Sequence, residues 1–267
     1  LLAGERFAVD WTGPAGADDE IILAAEGAAA GDRIESIRPA SRDVVFRAPY
    51  PEGRYELRYW SAALNRVIAT APVRVELPPA SLDAPDQIMG GATVEVSWTG
   101  PARIDDRIVI VPASPTVAEP FSFALVSAFG RPVALDVPTT PGKYEIRYLG
   151  GRDGAVLFVR PITVLAPEIA LSVGAPLRVG EPMEVRWDGP GGRYDEIRVM
   201  RPLDDPESPL AAVRVTEDRT AIIDAPAEPG LYVLMYWSGT AHRALSAISI
   251  DVTCDDCARP APAEAPL

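Results

Sequence analysis

The chain repeats one motif three times: Trp-Thr-Gly-Pro at Trp11 and Trp98, and Trp-Asp-Gly-Pro at Trp187, with the tryptophans 87 and 89 residues apart. A Gly-x-Tyr segment follows in each copy, at Gly53, Gly142 and Gly230, so Tyr55, Tyr144 and Tyr232 stand 44, 46 and 45 residues past their tryptophans. Solenoid repeats run to roughly 50 residues, and a unit of nearly twice that length has to close its own hydrophobic core. The predicted organisation is therefore a tandem array of modules over residues 1–77, 78–165 and 166–253, followed by a Pro/Ala-rich tail over 254–267. Each unit is small. A domain of this size buries a little over ~60% of its unfolded surface, which supports one modest core and no deep catalytic cavity.

Ahead of each tryptophan apolar and polar residues alternate, as Phe7, Val9, Trp11, then Val94, Val96, Trp98, then Met183, Val185, Trp187. Period two describes a strand with one buried face, and the Gly-Pro that follows ends it, since proline cannot donate to a ladder. Further strands are predicted from Ile21, Ile108 and Ile197, and at Val44-Val45-Phe46, Val133-Ala134-Leu135 and Ala221-Ile222-Ile223. The Tyr strand comes next, then a closing apolar strand ending at Val75, Val164 and Ile250. Six or seven short strands per copy, punctuated by Gly and Pro, make the fold class all-β, with each module a β-sandwich. Modules 2 and 3 open with leader strands at Ser81-Leu82-Asp83 and Ala170-Leu171-Ser172, which module 1 lacks. We read the chain as a piece of a longer protein and expect module 1 to leave a sheet edge open unless Leu1 to Phe7 covers it.

The Tyr strand resembles the tyrosine corner of immunoglobulin-like and fibronectin-like sandwiches, in which the hydroxyl bonds back to the preceding corner. Taken together, the Trp-x-Gly-Pro motif, an Asp eight residues later, an Ile two further on and Gly-x-Tyr-Glu-(Leu/Ile)-Arg-Tyr look like the tandem modules appended to von Willebrand factor A-type domains in bacterial envelope proteins. They are also more distantly similar to SKICH-type sandwiches. The resemblance implies three immunoglobulin-like domains in an extracytoplasmic setting, periplasm or cell surface. It also implies the role of a spacer, or of an adhesive and protein-interaction region. Module 3 departs from the pattern with Asp188 inside the first motif and Met235 where the other copies have Arg58 and Arg147. The Asp-x-Ser-x-Ser metal motif of the A-type domain is absent from this chain.

A net charge of −13 repels phosphate backbones and anionic lipid surfaces, which argues against nucleic acid and membrane partners. No apolar run of about 18 residues is present to span a bilayer. One histidine, His242, and the absence of Gly-x-Ser-x-Gly, His-Glu-x-x-His and phosphate-loop patterns remove the triad, zincin and nucleotide-binding classes. No cofactor is expected. Cys254 and Cys257 form one Cys-x-x-Cys, half of a zinc site, and are read as a local disulfide or free thiols.

Three sets of residues remain as candidates. Trp11, Trp98, Trp187, Tyr55, Tyr144 and Tyr232 are read as core fillings. Asp19, Asp106 and Asp195 are the acidic position common to all copies; each is expected to accept backbone N–H bonds or to pair with an arginine of the Tyr strand. The alternative is a calcium site, which needs six to eight oxygens. Trp60 and Trp237, five residues past their tyrosines, should face away from the core, where such a ring is more often covered by a loop or by the adjacent module; left exposed, they are the candidate surface contacts for a sugar or a protein. The divergent loops Gly27–Arg42, Ser114–Arg131 and Leu203–Asp218 and the module junctions are where a ligand would bind. The expected partner is another protein or other domains of the same polypeptide. A carbohydrate- or calcium-binding accessory module is the first alternative, and a carboxylate hydrolase at a junction the second.

Overall fold

A computed structural model describes residues 1–39, 44–50, 52–113, 119–151 and 154–254. Module 1 contains β1 (Arg6–Val9), β2 (Glu20–Ala25), β3 (Glu35–Ile37), β4 (Val44–Arg47), β5 (Gly53–Ser61) and β6 (Arg66–Val75). Module 2 contains β7 (Ser81–Asp83), β8 (Gln87–Met89), β9 (Thr93–Thr99), β10 (Arg107–Pro112), β11 (Ser122–Leu125), the single helical turn α1 (Val126–Phe129), β12 (Val133–Asp136), β13 (Gly142–Gly150) and β14 (Ala155–Leu165). Module 3 contains β15 (Ala170–Val173), β16 (Leu177–Arg178), β17 (Pro182–Asp188), β18 (Glu196–Met200), β19 (Ala211–Arg214), β20 (Thr220–Asp224), β21 (Gly230–Ser238) and β22 (Arg243–Thr253).

Each module is a two-layer sandwich of antiparallel strands of the immunoglobulin-like type. In module 2 the sheet β12-β9-β7 faces the sheet β11-β10-β13-β14-β8, and module 3 repeats this arrangement as β20-β17-β15 facing β19-β18-β21-β22-β16. A short parallel pairing closes each larger sheet, β8 with β14 and β16 with β22. Alternation decides which side chains meet between the layers. Val94, Val96 and Trp98 from β9 and Ile108 and Ile110 from β10 join Ile146 and Tyr148 from β13 in one buried cluster. Module 3 builds the equivalent cluster around Val185, Trp187, Leu234 and Tyr236, and module 1 around Phe46, Tyr55 and Tyr59. The three cores are separate, each assembled from the residues of one module.

Among the described residues of module 1 the smaller layer is only β1 paired with β4, facing β3-β2-β5-β6. Leu1 to Ala3 take the place of β8, with Leu2 bridging Glu76 in parallel, so the N-terminal residues cover the end of β6 and not the free edge of β1. The leader strand that lies beside the Trp strand in modules 2 and 3, where Leu82 faces Trp98 and Leu171 faces Trp187, has no counterpart here.

Candidate functional site

The aspartate repeated in every module is an internal clasp. Asp19, Asp106 and Asp195 are 2%, 0% and 1% exposed. In module 1 the hydroxyl of Tyr59 donates to Asp19 Oδ2 at 2.8 Å, the Gly16 N–H donates to the same oxygen at 2.9 Å and the Ala62 N–H donates to Oδ1 at 2.8 Å. Module 2 repeats the set with Tyr148, Arg103 N–H and Gly151 N–H on Asp106, and module 3 with Tyr236, Gly192 N–H and Gly239 N–H on Asp195. Each tyrosine oxygen in turn accepts a backbone N–H, from Ala15, Ala102 or Gly191. One buried carboxylate thereby ties the turn after the Trp strand to the hairpin after the Tyr strand. Charge-assisted bonds of this kind are roughly twice as strong as neutral ones.

The arginines of the Tyr strand are engaged elsewhere, Arg58 with Glu56 and Arg147 with Glu145, so an Asp–Arg pair is not what holds the aspartates. The calcium alternative also meets an obstacle. Both oxygens of each carboxylate are committed to N–H and O–H donors, and among the described residues no three His, Cys, Asp or Glu side chains gather as a metal-binding group.

The two outer modules place their carboxylates in different electrostatic surroundings. The hydrogen bond from Tyr59 holds the Asp19 carboxyl below the usual carboxylate range. Burial raises that of Asp195, whose loop is packed against module 2: a Cβ added at Gly192 would lie 2.5 Å from Gly91 O. Burial also raises the pKa of Tyr148 and Tyr236, so both remain protonated donors at neutral pH. Stability linked to Asp19 is present above its unfolded pKa and is lost as pH falls through the depressed folded value. Stability linked to Asp195 has the opposite sign, being complete at low pH and lost as pH rises through the raised folded value. In an NMR titration of the full chain, the Gly16 amide should shift below the ordinary Asp value of about 3.9 and the Gly192 amide above it. Coincident midpoints would contradict this account.

The remaining candidates fall into place around the clasps. Trp98 packs edge-on against Tyr148 with ring centroids 5.6 Å apart, and Trp11 packs on Tyr59 at 5.6 Å. Tyr144 donates to Thr140 O at 3.1 Å and Tyr232 to Glu228 O at 2.9 Å, each bonding back four residues as in a tyrosine corner. Tyr55 is buried, and the matching acceptor position, residue 51, lies outside the described residues.

Trp237 is covered and not an exposed surface contact, being 5% exposed. It does face away from the main core, but there it packs with Met200 and Met235, and the Arg198 guanidinium covers it 4.3 Å from the ring centroid. Arg198 is itself held by Glu196 and Pro206 O, so the Leu203–Asp218 loop forms part of the lid. In module 1 Arg58 donates to Ala28 O and Ala29 O of the Gly27–Arg42 loop. Trp60 is half-buried opposite Glu20 on β2. The first five residues of the Ser114–Arg131 loop lie outside the described residues, as does Cys257; Cys254 is disulfide-bonded.

Sequence reasoning passed over Tyr59, Tyr148 and Tyr236 as partners of the aspartates. The available signal was a second tyrosine four residues past the first in every copy, 40 to 42 residues after the aspartate.

The junctions use the same turns. Arg103, in the turn after the second Trp motif, donates to Ala3 O and Tyr50 Oη in module 1. The Tyr50 ring lies against Gly150 and Gly151, where an added Cβ would come within 3.0 Å and 2.8 Å of it. At the second junction Arg243 donates to Thr139 Oγ1 at 3.3 Å, and Gly91 lies beside Pro190.

No protein-family model and no curated protein matches the sequence. Among solved structures, the Escherichia coli adhesin FdeC aligns at 10% identity with TM-score 0.28, over 78% of this chain and 76% of that one. The FN1–FN3 domains of chicken CNTN1 align at 11% identity with TM-score 0.25, over 94% and 96%. An Escherichia coli alpha-2-macroglobulin aligns at 11% identity with TM-score 0.22, this chain covering 22% of its length. At such TM-scores these likenesses carry no functional argument, and the fold rests on the sheets and cores described above.

Proposed function

We propose that this chain is a non-catalytic array of three β-sandwich modules, serving as a spacer and as an adhesive, protein-interaction region of a larger bacterial envelope protein. The carrying observation is the junction at Arg103, whose guanidinium bridges the second module to Ala3 O and Tyr50 of the first. Two modules fastened through a half-buried aromatic and an arginine make a stiff connection. Two further features support the reading. The acidic residues common to all copies are saturated by internal donors, and a disulfide at Cys254 suits an oxidising compartment outside the cytoplasm. The partner is another protein or a neighbouring domain of the same polypeptide.

Two measurements test this. In NMR relaxation, modules 1 and 2 of the native chain should tumble together. The Arg103→Ala variant, which keeps the backbone N–H to Asp106, should let them tumble separately while each module keeps its stability within about 1 kcal/mol, as for a surface change. Independent tumbling in the native chain would remove the spacer role. In calorimetry, micromolar calcium should release no heat, and heat that disappears in Asp106→Ala would replace the spacer with a calcium-binding module.

A further inference from the structure

Trp98 and Trp187 occupy the same place in modules 2 and 3, but their indole N–H groups meet different ends. Trp98 Nε1 donates to Gly130 O at 3.0 Å. Trp187 is 5% exposed, and its buried Nε1 has no hydrogen-bond partner among the described residues. Register locates the difference: Val133 faces Val96 and Ala221 faces Val185, so Asp218 stands where module 2 has Gly130. The left-handed residue of the turn is Gly130 in module 2, at φ 72°, and Arg219 in module 3, at φ 56°. The turn is thus shifted by one residue, and Arg219 O is taken by the Trp187 main-chain N–H at 3.0 Å. In place of an acceptor for the indole lies a cleft of about 350 Å³, lined by Trp187, Pro190, Arg193, Val215, Glu217 and Arg219 among others. Buried polar groups in native folds nearly always have a partner, so the orphaned N–H marks a place where an acceptor belongs.

We propose that this cleft of module 3 binds a small carboxylate, one oxygen accepting from Trp187 Nε1–H and the other from the Arg193 guanidinium. Two arginines face one glutamate across the lining, which favours an anion over a neutral acceptor. Arg193 is exposed and forms no ion pair with a described residue. Arg219 is engaged by Asp188, and a guanidinium has five N–H donors, so some remain for a ligand. The arginine also leaves the cleft open. Its counterpart in module 2, Arg131, lies over the Trp98 ring at 4.2 Å from the centroid, whereas Arg219 turns to Asp188 instead. Pro190 and Val215 offer an apolar wall to the carbon chain of the acid. Trp187 then serves the core with its ring and the cleft with its edge. The site owes nothing to the first junction, so its failure would leave the spacer role intact.

The test titrates the full chain with sodium acetate at constant ionic strength and follows the indole N–H resonances by NMR. A saturable shift of the Trp187 resonance is expected, with that of Trp98 unmoved because its N–H is already bonded to Gly130 O. Acetamide, the neutral isostere, should bind at least about tenfold more weakly, and Arg193→Gln should weaken acetate binding by a similar factor, as the loss of one charge-assisted bond requires. N-acetylalanine, which carries the carboxylate of a peptide C-terminus, is titrated beside acetate. Tighter binding of N-acetylalanine assigns the site to peptide ends, and equal or tighter binding of acetate assigns it to free acids. Absence of a saturable shift with both acids, equal binding of acetate and acetamide, or unchanged affinity in Arg193→Gln would overturn the proposal. So would an indole N–H that contacts a long-lived water whatever acid is added. Acetate and acetamide leave the protein untouched, so a folding defect in Arg193→Gln cannot mask the outcome.

Discussion

Asp106→Ala is expected to cost module 2 about 3–5 kcal/mol, a large share of the 5–15 kcal/mol that holds a domain together. The carboxylate is fully buried and accepts from the Tyr148 hydroxyl and from the Arg103 and Gly151 amides. Alanine leaves these donors facing a void that holds no acceptor, and each unsatisfied buried donor costs about 1–3 kcal/mol. The melting temperature of that module should fall by roughly 15 °C or more. Tyr148→Phe should cost less, about 1–3 kcal/mol, since it removes one donor to Asp106 and the acceptor of the Ala102 amide while keeping the ring. Urea unfolding of both variants checks the order. A loss below about 1 kcal/mol for Asp106→Ala would show that the carboxylate is not a structural clasp.

Gly100→Ala should be nearly as damaging, at about 3 kcal/mol, the upper end of overpacking costs. The glycine of the Trp-x-Gly-Pro motif is the floor on which the second tyrosine lies: a Cβ at Gly100 would meet Tyr148 Cε1 at 2.1 Å. Tyr148 is completely buried, and its hydroxyl is anchored to Asp106, so the ring has nowhere to retreat. The contact eases in the other modules, to 2.8 Å at Gly13 and 3.0 Å at Gly189. The cost of the same substitution should therefore fall in the order Gly100, Gly13, Gly189, as measured by denaturant midpoints at constant slope. A reversed order would mean that the glycine serves its turn and not the ring above it.

These two sites also mark what the sequence could and could not convey. Strands such as β9 were readable because they have one wet and one dry face: the alternation at Val94, Val96 and Trp98 is the burial pattern of β9. The three-fold spacing of the motif runs parallel to the three main hydrophobic clusters among the described residues. The pairing of Asp106 with Tyr148 was not readable, because the two lie 42 residues apart and meet only when the two turns at one end of the sandwich close on each other. Which groups cover Trp237 was not readable for a related reason. Alternation sets the face a side chain occupies, but a loop that folds over that face, here with Arg198 as its clamp, obeys no period.

The central claim is that tryptophan, tyrosine and aspartate in each copy hold one self-sufficient core and leave function to the surfaces. Unfolding of residues 78–165 as a separate protein, followed in parallel by tryptophan fluorescence and far-UV circular dichroism, tests it most directly. The account predicts one cooperative transition with coincident midpoints, because the Trp98, Tyr148 and Asp106 contacts all lie inside that segment. A segment that unfolds gradually, or that acquires its transition only when joined to its neighbours, would show that the three cores depend on one another and would contradict the account.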